Sequence, residues 1–180
     1  MIEKFLKAKH WEIFMITFGL PLLIQILLMT MTIMENNPMI MMTTTPILML
    51  LFVFGFFGWF WSIAIGLQQV IPEEFKLKVS RFKTFLLIPV VYMIFFLGFF
   101  TTSFNLGGPN PAIFTIIVPL HLFSMFCIFY CLYFVAKTFK TVELKRKVTF
   151  SDFAGEFFMI WFFPIGIWII QPKINKMIED

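Results

Sequence analysis

The feature that most limits how this chain can fold is the apolar run of residues 111–136, which contains no charged residue. As a helix rising about 1.5 Å per residue it would be about 39 Å long. The hydrocarbon core of a bilayer is only about 30 Å thick. The run therefore predicts a transmembrane helix that tilts or bends, and Pro119 provides a position for a bend.

The composition of the whole chain agrees with a membrane location. Of the 180 residues, 60% are hydrophobic and 13% are charged, whereas soluble domains average about 25% charged residues. The apolar runs predict an all-α polytopic membrane protein that forms a single integral membrane domain. Its predicted spans are about 12–34, 46–68, 84–104 and 111–136. The first run is too long for the roughly 7–15-residue core of a signal peptide, so we expect an uncleaved span.

The last apolar run, residues 157–170, is too short for a comfortable crossing and has Pro164 and Gly166 near its centre. We therefore predict that the element at 155–171 is re-entrant or interfacial and amphiphilic. Five transmembrane helices are the alternative. Thr149 and Asp152 are spaced as in a capping box, which predicts that a helix begins near Phe150.

The positions of the basic residues predict the orientation. With four spans, all 14 lysines and arginines fall on one side of the membrane. Because cytoplasmic loops are enriched in Lys and Arg, both termini and the loop between the second and third spans should be cytoplasmic. A fifth crossing would move Lys173 and Lys176 to the opposite side.

One predicted span contains an unusual group of polar and sulfhydryl residues. On a helical wheel His121, Ser124 and Cys131 share a face, with Cys127 further round. His121 should lie near the membrane midplane, where an ionisable residue suggests function. A proton relay and a soft-metal site are the functional interpretations. The favoured structural interpretation is a neutral histidine, hydrogen-bonded between helices to a group such as Gln25, with cysteines that only pack.

A stripe of small residues, Gly58, Ser62 and Gly66, recurs every four residues along the second predicted span. Such stripes let a neighbouring helix approach closely. We expect this face to contact protein, in the same chain or in another subunit.

The sequence contains no phosphate-binding glycine loop, no GxSxG, no HExxH and no pair of intramembrane carboxylates. This favours a non-enzymatic subunit or small oligomeric scaffold without a cofactor. Its expected partners are lipid and other membrane subunits or copies of itself, not nucleic acid. A small transporter or channel that uses the His121 group is the alternative.

Four segments carry a resemblance to a known family: KAKHW (7–11), FFGWFWSIAIGLQ (56–68), PLHLFSMFCIFYCLYFVAKT (119–138) and GEFFMIWFFPIGIWIIQPKIN (155–175). In these segments the chain resembles a family of small, uncharacterised multi-spanning inner-membrane proteins of flavobacteria-like bacteria. The resemblance implies a bacterial inner-membrane location and no catalytic residue.

Overall fold

The fold was analysed in a computed structural model that describes residues 2–105, 108 and 110–179. All the long regular elements in these residues are helices, and we number them in chain order. They are α1 (Ile2–Lys7), α2 (His10–Met34), α3 (Met39–Gln69), α4 (Val79–Asn105), α5 (Pro111–Leu144), α6 (Phe150–Trp161) and α7 (Phe163–Glu179).

Four of these helices, α2 to α5, are long and apolar enough to cross a membrane. The predicted all-α polytopic fold is therefore confirmed. A proline lies inside each of the four, at Pro21, Pro46, Pro89 and Pro119, without ending the helix. Two short π-helical segments interrupt the α-helical hydrogen bonding, Met15–Gly19 in α2 and Ser62–Gly66 in α3.

The helices extend beyond several of the predicted bounds. Helix α3 begins at Met39, not near residue 46, and the Asn37 side chain accepts a hydrogen bond from the first helical N–H, that of Met39. Pro46 lies inside the helix without ending it. Helix α5 continues from residue 136 to Leu144, past the apolar run. The hydrophobic pattern marks the part of a helix that lipid can cover, whereas α5 continues past it into protein contacts that bury Phe139 and Val142.

The C-terminal segment is a helical hairpin, not a fifth span. Its turn lies at Phe162, and Trp161 packs edge-on against Phe129 of α5 at a centroid distance of 4.9 Å. Phe129 is eight residues before Lys137, about 12 Å along the helix axis. On the return, α7 brings Asn175 into hydrogen-bonding contact with the Leu6 carbonyl. The hairpin therefore enters the bundle part way and returns to the end where it began, as a re-entrant element does.

Ion pairs hold this hairpin against the end of α5. Lys140 lies 2.8 Å from a Glu156 carboxylate oxygen on α6 and 2.6 Å from Glu143. Glu143 also pairs with Lys173 of α7 at 3.2 Å. These side chains are partly buried, and the pairs add directional contacts between three helices. Apolar packing alone would fix less well how far α6 and α7 are shifted along α5.

The two ends of the bundle differ in packing. The basic residues lie at one end, together with α1 and both ends of the hairpin, and we call this the basic end. Its half of the bundle contains the main hydrophobic core, with fully buried Trp59, Phe60, Phe82 and Phe139. In the opposite half the four long helices expose wide apolar surfaces, such as Ile33 on α2, and lipid is the solvent that suits such surfaces.

Candidate functional site

His121 of α5 pairs with Tyr92 of α4. The tyrosine hydroxyl lies 3.1 Å from the histidine Nδ1, and the ring centroids are 5.7 Å apart. Tyr92 is buried, whereas His121 is exposed. Lys83 precedes Tyr92 by nine residues, about 14 Å of helix, so the pair lies near the centre of the apolar segment.

The suggestion that Gln25 is the partner of His121 is wrong. The Gln25 amide instead exchanges hydrogen bonds with the Thr45 hydroxyl, with N···O and O···O distances of 3.2 and 3.3 Å. Gln25 faces α3 because α2 packs along α3, while α5 packs along α4. Each polar side chain finds a partner on the helix next to its own in the sequence.

The structure separates the other members of the predicted group from His121. Ser124 is only 3% exposed, and Cys127 and Cys131 are fully buried. The two cysteines are free thiols, and Cys131 belongs to the core of the basic end. Within the described residues no three His, Cys, Asp or Glu side chains are close enough to hold a metal ion. The arrangement is that of small packing residues beside an exposed imidazole.

The stripe of small residues on α3 lies against α1. A Cβ built on Gly58 would come within 3.1 Å of the Phe5 ring, and one built on Gly66 would overlap Leu6 and press on Ile2. Ser62 is buried and donates its hydroxyl to the Gly58 carbonyl at 2.8 Å. The neighbour that approaches this face is therefore the short N-terminal helix of the same chain.

One fully buried polar side chain with four hydrogen bonds was missed by the sequence analysis. Gln171 of α7 is fully buried. Its Oε1 accepts from the Trp59 indole N–H at 2.7 Å. Its Nε2 donates to the carbonyls of Phe5, Leu6 and Ala8 at 2.9–3.1 Å.

The carbonyls that Gln171 reaches are those left without helical partners at the end of α1. Asn175, one turn later, donates to two of the same carbonyls, those of Leu6 and Ala8. The available signal was the pair Gln171 and Asn175, two amides four residues apart at the end of an apolar run. The spacing marks one face of a helix but does not identify what that face contacts.

Together, four spanning helices and a re-entrant hairpin define a multi-pass integral membrane protein. No family model matches the chain, and neither the curated proteins nor the solved structures contain a match.

Proposed function

We propose that this chain is a non-enzymatic subunit of a membrane assembly, or a small oligomeric scaffold that assembles with itself. We further propose that it lies in a bacterial inner membrane with both termini cytoplasmic, as in the family it resembles. The single observation that carries the functional proposal is the exposure of His121 near the middle of the apolar segment.

An imidazole at this depth needs polar partners, because lipid offers none. Tyr92 supplies one for Nδ1, and the other ring nitrogen, Nε2, has no partner among the described residues. The surface around His121 is apolar: Val118, Leu122 and Met125 are 52%, 62% and 42% exposed. Polar side chains in membranes commonly hydrogen-bond across helix interfaces. A helix of another subunit on this face would cover the apolar surface and supply the second partner.

Cysteine cross-linking on this face tests the proposal. Leu122→Cys places a thiol beside His121, and an oxidant added to native membranes should then give a disulfide-linked dimer or a link to another protein. Leu23→Cys is the matched control, because Leu23 is 58% exposed on α2, away from this face. The native cysteines are buried and should contribute little background. A Leu122→Cys chain that stays monomeric would contradict the proposal.

His121 itself supplies a second test. His121→Gln keeps a polar side chain and should retain the assembly in gentle detergent. His121→Leu should reduce the mass of the complex, because the partner's polar group would lose its hydrogen bond. If both variants keep the wild-type mass, His121 does not take part in assembly.

A small transporter is the second candidate, and it is favoured by one cavity. About 410 Å³ of space lies between α2 and α3 and is bordered by Thr17 and by the Gln25–Thr45 pair. His121, Ser124 and the cysteines do not border it. A transporter should therefore depend on Gln25: Gln25→Leu would abolish an in vivo phenotype and leave the assembly intact. The scaffold proposal expects the phenotype to survive this change.

A further inference from the structure

Three lysines from separate segments meet at one cavity of about 310 Å³ at the basic end. Lys76 belongs to the connection between α3 and α4, Lys137 to α5, and Lys147 to the connection between α5 and α6. The cavity is also bordered by buried Thr141 and Val148. Positive charges that border one cavity repel one another, and an anion bound among them would relieve this repulsion.

Gln68 positions the loop that brings Lys76 to this cavity. Its Oε1 accepts from the Leu77 backbone N–H at 3.0 Å, and its Nε2 donates to the Thr138 hydroxyl at 3.4 Å. The side chain thus bridges the loop and α5 next to the lysines. One wall of the cavity is therefore held in place by hydrogen bonds between the loop and the helices.

The charges around the cavity are not balanced within the described part of the chain. Its lining contains three lysines and one carboxylate, that of Glu74. Lys76 pairs with Glu73 outside the lining, and Lys137 lies 5.7 Å from the centre of the Tyr133 ring. Lys147 has no carboxylate partner among the described residues. At the same end Lys140 has two such partners.

We propose that this cavity binds the phosphate of an anionic phospholipid headgroup. Lys137 is the first charged residue after the apolar run of α5, which places the cavity where the helix leaves the hydrocarbon. Basic pockets between helices at this level suit lipid phosphates. The apolar side chains of Phe75, Leu77 and Val148 on the wall suit a lipid better than a fully hydrated ion. The inference holds for either membrane orientation and does not depend on the assembly proposed above.

Lipid titration of the purified full-length protein in a nonionic detergent tests this site. Bound lipid is counted by native mass spectrometry, and the unfolding temperature is followed with added phosphatidylglycerol, phosphatidylcholine or inorganic phosphate. Phosphatidylglycerol should bind and raise the unfolding temperature, and phosphatidylcholine should do so less. The triple variant Lys76→Gln/Lys137→Gln/Lys147→Gln should lose at least about tenfold in affinity, the equivalent of one charge-assisted hydrogen bond.

The matched control removes three other bases, Lys4→Gln/Lys9→Gln/Lys176→Gln, none of which borders the cavity. It has the same net charge as the first triple variant and should bind phosphatidylglycerol like the wild type. An equal loss of phosphatidylglycerol affinity in both triple variants would show that binding reflects general charge attraction and not this site. If inorganic phosphate raised the unfolding temperature as much as phosphatidylglycerol does, the assignment to lipid would be overturned.

Glu74→Gln provides a test that survives if the triple variant does not fold. It removes the one negative charge of the lining and should tighten phosphatidylglycerol binding by several-fold. Unchanged or weaker binding in this variant would contradict the proposal.

Discussion

At the residue scale, one buried amide connects the two ends of the chain. Gln171 lies on α7, and its partners lie on α1 and α3, 112 or more positions away in sequence. Without it the Phe5 carbonyl and the Trp59 indole N–H would each lose a partner, whereas the Leu6 and Ala8 carbonyls would keep Asn175 as a donor. A buried polar group left without a partner costs about 1–3 kcal/mol in soluble proteins and less in a membrane. The amide is therefore one of the few side chains whose loss should affect three helices together.

Gln171→Met tests this role because it keeps the approximate shape and removes the polar atoms. We expect a loss of about 2 kcal/mol, since several backbone carbonyls and the Trp59 N–H lose a partner. The decrease should be visible in the thermal unfolding temperature and in faster proteolysis near residue 8. Gln69→Met, at an exposed position, is the control and should leave both unchanged. Equal behaviour of the two variants would mean that water replaces the lost hydrogen bonds.

Asp152 makes a second residue-scale contribution at the start of α6. The Arg146 guanidinium at 2.7 Å and the Thr149 backbone N–H at 2.8 Å hold the pKa of its carboxyl well below the usual value of 3.8. A lowered pKa stabilises the fold while the carboxylate is charged. The contribution is thus complete above the ordinary aspartate pKa and is lost as the pH falls through the folded value.

Asp152→Asn should therefore lower the unfolding temperature at neutral pH, and its difference from the wild type should shrink as the pH falls below about 4. Melting curves at a series of pH values measure this. Glu35→Gln is the control, because Glu35 is exposed and has no ion pair in the described part of the chain. A difference that stays constant down to acid pH would show that the effect of Asp152 is not ionic.

At the scale of elements, the hairpin depends on one glycine. Helices α6 and α7 meet where Gly166 faces the backbone of Met159, and a Cβ at Gly166 would overlap the Met159 carbonyl oxygen. A backbone atom cannot move aside as the end of a flexible side chain can. The close approach of the two helices thus requires a residue without a side chain.

Gly166→Ala should separate the two helices and destabilise the protein by at least about 1–3 kcal/mol, the usual cost of overpacking. Gly155→Ala is the matched control in the same hairpin, because a Cβ there meets nothing within 4 Å. Alanine also favours helix over glycine, so the control should be neutral or slightly stabilising. Thermal unfolding of both variants tests the pair, and a normal melting temperature for Gly166→Ala would contradict the packing argument.

Elements were more predictable from sequence than their contacts. Run length and charge identified the four spanning helices, and the capping residues marked the beginning of α6 at Phe150. Helix α1 was not predicted, although Ile2, Phe5 and Leu6 have helical spacing, because six residues give too weak a periodic signal. The stripe from Gly58 to Gly66 predicted a close neighbour, but periodicity alone does not identify which helix approaches.

At the scale of the whole molecule, the two chain ends lie together. Asn175 of α7 contacts the Leu6 carbonyl near the N-terminus, and the loop after α3 contacts α5 through Gln68. These contacts place every basic segment at one end of the bundle. If that end is cytoplasmic, all 14 bases are inside, as the positive-inside rule requires.

Single-cysteine labelling tests the orientation. Cysteines at Lys78 and Lys176 should react with a membrane-impermeant thiol reagent only after the membrane is opened, because both should be cytoplasmic. A cysteine at Asn37, between α2 and α3, should react in intact cells. The reverse pattern would invert the topology, and labelling of position 176 alone in intact cells would convert the hairpin into a crossing.

The sequence could identify His121 as a candidate site residue, but it could not identify the partner of His121 or its exposure. The sequence marked His121 as unusual, but its partner Tyr92 is an aromatic residue in an aromatic-rich span and gives no separate signal. The exposure of His121 is also set by how the helices pack, which the sequence of one span does not reveal. The cavity with Lys76, Lys137 and Lys147 likewise requires three segments that only the folded chain brings together.

The unequal packing of the two halves has a consequence for the bilayer. The hairpin and α1 add three helices at the basic end, whereas the described part of the opposite half consists of the four spanning helices. If the basic end lies in one leaflet, the protein would occupy more lateral area in that leaflet than in the other. If copies associate side by side through the His121 face, the difference in lateral area between the two halves should accumulate from copy to copy and bend the membrane. The chain would then impose local curvature through shape alone.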